Sequence, residues 1–298
     1  MAVPTKFAFG SFGRSCMLSL LMVTLLGAPI VSLEESESKR QSSFSGSTSA
    51  DPLGNEAENW QCSATMMTST MSLEVAPDFN LTLLEDASQF LEGKEGDGTG
   101  TVIWGASICL AKYLHAHVTL NDSWKVIELG CGVGLPTLVV AKMCQKSCKE
   151  RLFATDSEEA TLQQLKAVAE LNNLQGKLTA TKFDWNSHEE SRIDDCVTVG
   201  VDVLLASDVI YSRSMVAPLV QGIRRILSPG RKNMKSIAYL AFKKSRPGVK
   251  YFVEEALPKA GFELIETVSC QEYLHLDDDS PSRWEGDDHS VYVFTSQT

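Results

Sequence analysis

Residues 125–136 read KVIELGCGVGLP, and the reading of this stretch decides the fold. Residues 125–129 form a short apolar run of strand character. It leads into Gly130, Gly132 and Gly134, one glycine at every second position. Glycines there let the backbone turn sharply and let a ligand approach main-chain N–H groups that no Cβ obstructs. Pro136 suits the first turn of a following helix, where its missing N–H costs nothing. A dinucleotide-binding fingerprint, G-x-G-x-x-G, would carry its third glycine where this chain has Leu135. The spacing here is G-x-G-x-G, with the acidic Glu128 two residues before the first glycine. A tight strand-to-helix connection without a ligand is the plainer alternative for the same residues.

Downstream of this loop, strand-like runs lie at 152–155, 178–183, 201–206, 236–242, 262–268 and 291–295. Helical patterns fall at about 135–145, 158–172, 214–227 and 248–260, with a looser link between the third and fourth strands. Such alternation predicts an α/β fold: a doubly wound, Rossmann-like parallel sheet of seven strands covered on both faces. The last two strands are joined by a long loop and predict a closing antiparallel hairpin. Upstream, residues 98–114 (GTGTVIWGASICLAKYL) predict an amphipathic helix from Trp104 onward, and a short strand or hairpin is expected near 79–84.

The 298 residues carry a formal charge of -11, unevenly spread. Residues 1–97 hold 13 acidic and 5 basic side chains, residues 98–298 hold 25 and 22. The part with regular patterning is therefore nearly neutral, and no basic stripe argues for nucleic acid as a partner. None of the eight cysteines forms a C-x-x-C pair. Cys144 and Cys148, four apart on the predicted helix, lack nearby histidines, so no metal site is expected. Cys109 and Cys131 lie in apolar runs and read as small buried hydrophobes. A reducing, cytoplasmic setting is the expectation.

The leader complicates that expectation. An apolar run at 16–31 follows Lys6 and Arg14, resembling a signal peptide or anchor, although it is shorter than the roughly 20 residues that span a bilayer. Membrane contact is expected only if this run acts as an anchor. Residues 33–60 are rich in Ser, Glu and Gly without periodicity and read as a linker. Asn80 and Asn121 each begin an N-x-S/T tripeptide, which matters only on a secretory route. The domain division expected is a leader at 1–70 and one folded domain at 71–298, acting as a monomer.

The candidate binding residues stand at the ends of the strands. In an open α/β sheet, ligands sit beyond the carboxyl ends. Asp156 ends the second strand, 22 residues after Gly134, where a carboxylate can accept both hydroxyls of a ribose. Capping the next helix is its alternative role. Asp184 and Trp185 end the third strand; the first could accept from an adenine amino group and the second stack on the ring, or Trp185 could simply cover the sheet edge. The fourth strand ends in Ala206-Ser207-Asp208-Val209-Ile210-Tyr211.

The G-x-G-x-G loop resembles motif I of the seven-β-strand methyltransferases, which bind S-adenosylmethionine. Asp208-x-x-Tyr211 resembles the D-x-x-Y motif of the protein-lysine methyltransferases called methyltransferase family 16, of the methyltransferase-like 21 type. The likeness runs through Gly100-x-x-x-Trp104, the AKYL segment at 111–114, ELGCGVGL, Thr155-Asp156, Trp185 and ASDVIY, covering residues 98–298. It implies a class I methyltransferase fold with S-adenosyl-L-methionine contacted by Trp104, Gly130, Cys131, Gly132, Asp156, Trp185 and Ser207; Glu128, Gly134 and Asp184 join them as candidates. It also implies a protein substrate that presents a lysine, with Asp208 and Tyr211 as catalytic residues. Methylation of another protein side chain or a small-molecule amine is the alternative, and a non-catalytic cofactor-binding module the second. After the fifth strand the family has an aromatic followed by basic residues; Phe242 and Arg246 match that pattern loosely.

The chemistry implied is in-line attack of an amine on a sulfonium methyl. Only the neutral amine attacks, and neutralising a lysine of ordinary pKa near 10.4 at physiological pH costs on the order of 4 kcal/mol. Asp208 favours the ammonium, so its expected work is to aim the nitrogen and offset the charge that forms on it, rather than to act as a strong base. Tyr211 is expected to wall the channel and accept a cation–π contact. A turn cap for Asp208 and a core place for Tyr211 are the alternatives.

Overall fold

The computed structural model describes residues 68–86, 98–145, 148–186, 200–227, 235–274 and 288–296. The apolar run at 16–31 and the linker at 33–60 lie outside the described residues. Among the described residues no helix is long and apolar enough to cross a membrane.

The described residues open with an antiparallel hairpin, β1 (Thr68–Ala76) and β2 (Phe79–Asp86). Then come α1 (Gly105–His117), β3 (Val126–Leu129), α2 (Leu135–Met143), β4 (Leu152–Asp156), α3 (Glu159–Leu171) and β5 (Thr179–Lys182). β6 (Val203–Ser207), α4 (Val216–Leu227) and β7 (Ile237–Lys243) follow. A composite helix of α5 (Val249–Tyr251), a π-helical turn (Phe252–Ala256) and α6 (Leu257–Lys259) leads to β8 (Phe262–Ser269) and β9 (His289–Ser296). The sheet order is β5-β4-β3-β6-β7-β9-β8. β3 to β7 pair in parallel, and β9 runs antiparallel between β7 and β8. This is the expected α/β sheet of seven strands with its antiparallel close.

Strand alternation divides the core into two layers. Val126, Val203 and Leu205 face one cluster with α1, α2, α3 and the hairpin. Ile127, Leu129, Leu204 and Ala206 face the other, with α4 and the composite helix. α4 supplies Val216, Leu219, Ile223, Ile226 and Leu227 at helical spacing. β3 is buried along its whole length, which a parallel strand covered on both faces requires.

The hairpin is bound in by side chains that imitate a strand partner. Asn172 Oδ1 accepts from Thr82 N at 2.9 Å, and its Nδ2 donates to Thr82 O at 2.6 Å. Gln164 Nε2 donates to Leu84 O, and Glu85 Oε1 accepts from Ile103 N, each at 2.6 Å. β2 covers the stretch near 79–84 where a short strand or hairpin is expected, and β1 from Thr68 is its partner.

One helix is shorter than its pattern predicts. α2 ends at Met143, because Cys144 leaves helical backbone with φ -62° and ψ 122°. Cys148 is therefore off the helix, and its Sγ donates to Lys177 O at 3.0 Å. The structure describes both, with Cys109, Cys131 and Cys270, as buried free thiols.

The chain runs from β3 outward to β4 and β5, then returns to β6 on the other side of β3. The crevice beyond the carboxyl ends of β3 and β6 is the switch point where open α/β sheets bind ligands.

Candidate active site

A cavity of about 430 Å³ opens at that switch point. Its wall brings together Trp104, Gly130, Cys131, Gly132, Asp156, Asp184, Trp185, Ser207, Asp208 and Tyr211, from segments far apart in the chain. Thr99, Gly100, Ser107, Met215 and Arg246 join them. The volume lies within the range of small-ligand sites.

The glycine loop forms one side. Gly130 and Gly132 have φ of 57° and 53°, a left-handed backbone that other L-residues adopt at a cost. A Cβ on Gly130 would stand 2.7 Å from Val209 Cγ1 and 3.2 Å from the Trp185 ring. A Cβ on Gly132 would stand 3.1 Å from the main-chain oxygen of Gly100, which cannot rotate away. The loop thus approaches the entry to α1 backbone to backbone, and glycine is what fits.

Asp156 joins this loop to the end of β4. Gly132 N donates to its Oδ2 and Glu158 N to its Oδ1, both at 3.1 Å. Asp156 therefore supports the start of α3 and lines the cavity together. Burial pushes its carboxyl above the ordinary range, against these amide hydrogen bonds. Donors from a ligand would favour the charged form further. Cys131 also lines the cavity, and burial raises its thiol.

Glu128 and Gly134 stand outside the lining. On a strand successive side chains point to opposite faces, and Glu128 points under α2. There its Oε2 accepts from Thr137 N at 3.0 Å and from the Thr137 hydroxyl. It is fully buried, and desolvation pushes its carboxyl up to about 8 despite the Thr137 bonds, with Asp156 adding to the rise. Gly134 begins α2 with φ 76°, and a Cβ there would meet Leu165 Cδ1 at 2.3 Å. Its task is close packing of α2 on α3.

The aromatic wall is held from the backbone. Trp104 Nε1 donates to Thr99 O at 2.9 Å. Asp184 Oδ1 accepts from Asn186 N at 2.8 Å, closing the turn that carries Trp185. Trp185 packs on the α4 layer, but its Nε1 is buried with no hydrogen-bond partner among the described residues.

Ser207 ends β6, and Asp208 follows with φ 54° in left-handed backbone. Asp208 N still donates to Ala241 O at 2.9 Å, so the β7 edge fixes this conformation. Asparagine and aspartate are the non-glycine residues that visit it most readily, and strain at such a position often accompanies a functional site. The Asp208 carboxylate is paired with Arg246, whose Nη2 lies 2.9 Å from Oδ2. The guanidinium carbon of Arg246 lies 5.3 Å from the Trp104 ring centroid. Asp208 Oδ1 and Arg246 Nε, like Trp185 Nε1, are buried with no partner among the described residues. Three of the five such atoms among the described residues thus belong to residues of this cavity, as a site built for a polar ligand leaves them unfilled.

Tyr211 sits on the rim, 50% exposed. Its ring lines the cavity mouth, where an acceptor amine would enter. Sequence reasoning gave Arg246 no role, since its partner is 38 residues earlier; Thr99 and Met215 carried no signal at all. Among the described residues no group of three or more His, Cys, Asp or Glu is placed to hold a metal ion.

Residues 85–258 match a family model described as lysine methyltransferase. The chain is similar to mouse protein-lysine N-methyltransferase EEF2KMT, 28% identical over 175 residues that cover 55% of this chain and 50% of the relative. It is similar to protein N-terminal and lysine N-methyltransferase EFM7 of Yarrowia lipolytica, 25% identical over 209 residues, covering 62% and 72%. The chain thus spans about half the length of the mouse relative. Among solved structures, SMU.776, assigned as a methyltransferase and solved with SAH, superposes with a TM-score of 0.50 at 11% identity, covering 76% of this chain and 56% of that one, a likeness of fold. With more than half its length inside the matched region, the chain belongs to the lysine methyltransferase family.

Proposed function

We propose that the protein transfers a methyl group from S-adenosyl-L-methionine to the side-chain amine of a lysine in a protein substrate. The observation that carries this reading is the convergence of the glycine loop, Asp156 and Trp185 with Asp208 in one cavity. The first three offer a main-chain surface that no Cβ obstructs, a carboxylate for hydroxyls and a ring for stacking. Asp208 offers a carboxylate for an amine. Family membership and the relatives' names support a protein acceptor.

S-adenosylmethionine, when bound, supplies a methyl group on a positively charged sulfur, activated for attack. The residues of this chain hold and orient. Gly130, Cys131 and Gly132 let the ligand lie close against the main chain, in a loop whose Cys131 and Gly132 N–H groups are held by Thr155 O and Asp156 Oδ2, and Asp156, Asp184, Trp185, Trp104 and Ser207 complete its cradle. Orphaned Trp185 Nε1 and Asp208 Oδ1 are available to polar groups of the two reactants. Asp208 accepts an N–H of the incoming amine and aims the lone pair, an orientation effect that contributes several orders of magnitude where geometry is held. Tyr211 on the rim guides the acceptor chain. The proton of the ammonium leaves to solvent before attack.

The test is methyl transfer from radiolabelled S-adenosylmethionine into a lysate of cells that produce the protein, comparing the wild type with Asp208→Asn. Asparagine keeps the left-handed backbone at this position. A labelled protein band that the variant fails to label, with methyl-lysine found by mass spectrometry, supports the reading. Cofactor binding without labelling of any protein by the wild type overturns it.

A further inference from the structure

Asp208 has a cationic partner before any substrate arrives. Arg246 Nη2 donates to Oδ2 at 2.9 Å; the Asp208 side chain is 5% exposed and that of Arg246 28%. The pairing is single-pronged. Arginine commonly meets a carboxylate through two parallel bonds, yet here Asp208 Oδ1 and Arg246 Nε both lack partners among the described residues. The contact with Trp104 holds the guanidinium to one side of the carboxylate. One oxygen is thus neutralised and the other is left as a buried acceptor without a partner among the described residues, on a residue that lines the cavity.

This arrangement answers a difficulty in the chemistry. A lone buried carboxylate holds an incoming amine as ammonium, whose lone pair is occupied by a proton. A guanidinium beside that carboxylate offsets its charge, which favours the neutral amine relative to a lone carboxylate. We infer that Arg246 is a positioning residue that selects the neutral form of the acceptor amine, by occupying Oδ2 of Asp208 while leaving Oδ1 to receive an amine N–H. The inference rests on the amine-methylation reading above. The ammonium gives its proton to water; the nitrogen lone pair then forms the new N–C bond as the S–C bond breaks. Sulfur keeps that electron pair and becomes neutral, and the nitrogen bears the positive charge until a second proton leaves to water.

Other charged or titratable groups share the neighbourhood. Asp156, Glu158, Asp184 and Tyr211 line the same cavity. On the β7 loop, Lys243 and Lys244 lie in the field of Asp288, whose Oδ2 accepts from Ser245 N. Arg213 lies over the Tyr251 ring, 4.1 Å from its centroid. All of these remain in an Arg246 variant, so a change in pH response on substituting Arg246 alone belongs to the pair with Asp208.

The experiment uses the full chain with Arg246→Met and Arg246→Lys, checked for thermal stability and for S-adenosylhomocysteine binding. Lysate labelling is followed from pH 6.5 to 9.5. Arg246→Met should label about tenfold more slowly at pH 7 and approach the wild type at the alkaline end, whereas Arg246→Lys should keep most of the wild-type rate. A loss of the same size at every pH, or no loss, overturns the inference. A second measurement does not need turnover. n-Butylamine is titrated into each protein saturated with S-adenosylhomocysteine, with the Trp104 indole N–H followed by NMR. Wild-type affinity should rise with pH; Arg246→Met should bind about tenfold tighter at pH 7 and hold nearly the same affinity up to about pH 9.5, where the amine is still mostly ammonium. The same pH trend in both, or no binding by the wild type at any pH, overturns the inference. A wild type that labels no protein but shows the amine trend sinks the methylation reading alone.

Discussion

The loop after β3 and the loop after β7 both reach the cavity, and they are built on opposite plans. The first presents backbone: Gly130 and Gly132 in left-handed conformation, with Gly132 N on Asp156 and no room for a Cβ against Gly100. The second presents a side chain: Arg246 reaches back to Asp208 and lies over Trp104. A backbone site is rigid and tolerates few substitutions, which suits a ligand that is the same in every turnover. A side-chain site can be retuned by one residue, which suits the choice of acceptor.

The contrast can be broken most severely at Gly132. Gly132→Val combines left-handed strain with a clash against a main-chain oxygen, and should weaken cofactor binding on the order of 1000-fold, about 4 kcal/mol by calorimetry. Wild-type affinity in that variant would mean the backbone is not what holds the ligand. Asp208→Asn is expected to lower methyl labelling about 100-fold while cofactor affinity changes by less than about threefold, since the lost charge acts on the acceptor side. A parallel loss of cofactor affinity would dissolve the division between the two loops.

Glu128 offers a subtler test, because it lies beneath the first loop without touching the cavity. Its carboxyl is held at about 8 in the folded protein against an ordinary 4.5. Between those values the folded state binds more protons than the unfolded one, so stability falls as pH rises through that window. Glu128→Gln, neutral at every pH, should flatten the fall and gain about 2 kcal/mol relative to the wild type at pH 8 in urea unfolding, discounted from the full shift because the amide meets an unfilled site. Equal pH dependence of the two proteins would show that Glu128 keeps an ordinary carboxyl. The smallest effect belongs to Tyr211→Phe. Half exposed on the rim, its hydroxyl should change labelling by about threefold or less, seen in the acceptor concentration dependence.

Much of this was legible before folding. The run at 125–129, the glycines and Pro136 gave β3, its loop and α2, since a buried strand and a glycine turn are local demands. The strand-end residues Asp156, Trp185 and Ser207 meet in the cavity as the parallel topology requires. Two parts were not legible. The helix pattern past Met143 continued through Cys144 and Cys148, yet the backbone turns there and Cys148 bonds to Lys177 on another segment. Glu128 was adjacent to the glycines in sequence, but strand alternation sends it to the opposite face, under Thr137.

The sequence by itself determined the periods: apolar runs short enough for buried strands, helical spacing between them, and glycines where side chains cannot fit. These depend on neighbours a few residues away, so they are written in the order of the chain. Tertiary structure alone decided which charges meet. Arg246 reaches Asp208 across 38 residues because β6 and β7 pair in parallel and bring their carboxyl ends to one rim. A long-range ion pair needs two side chains delivered by the whole sheet, and no local pattern encodes that delivery.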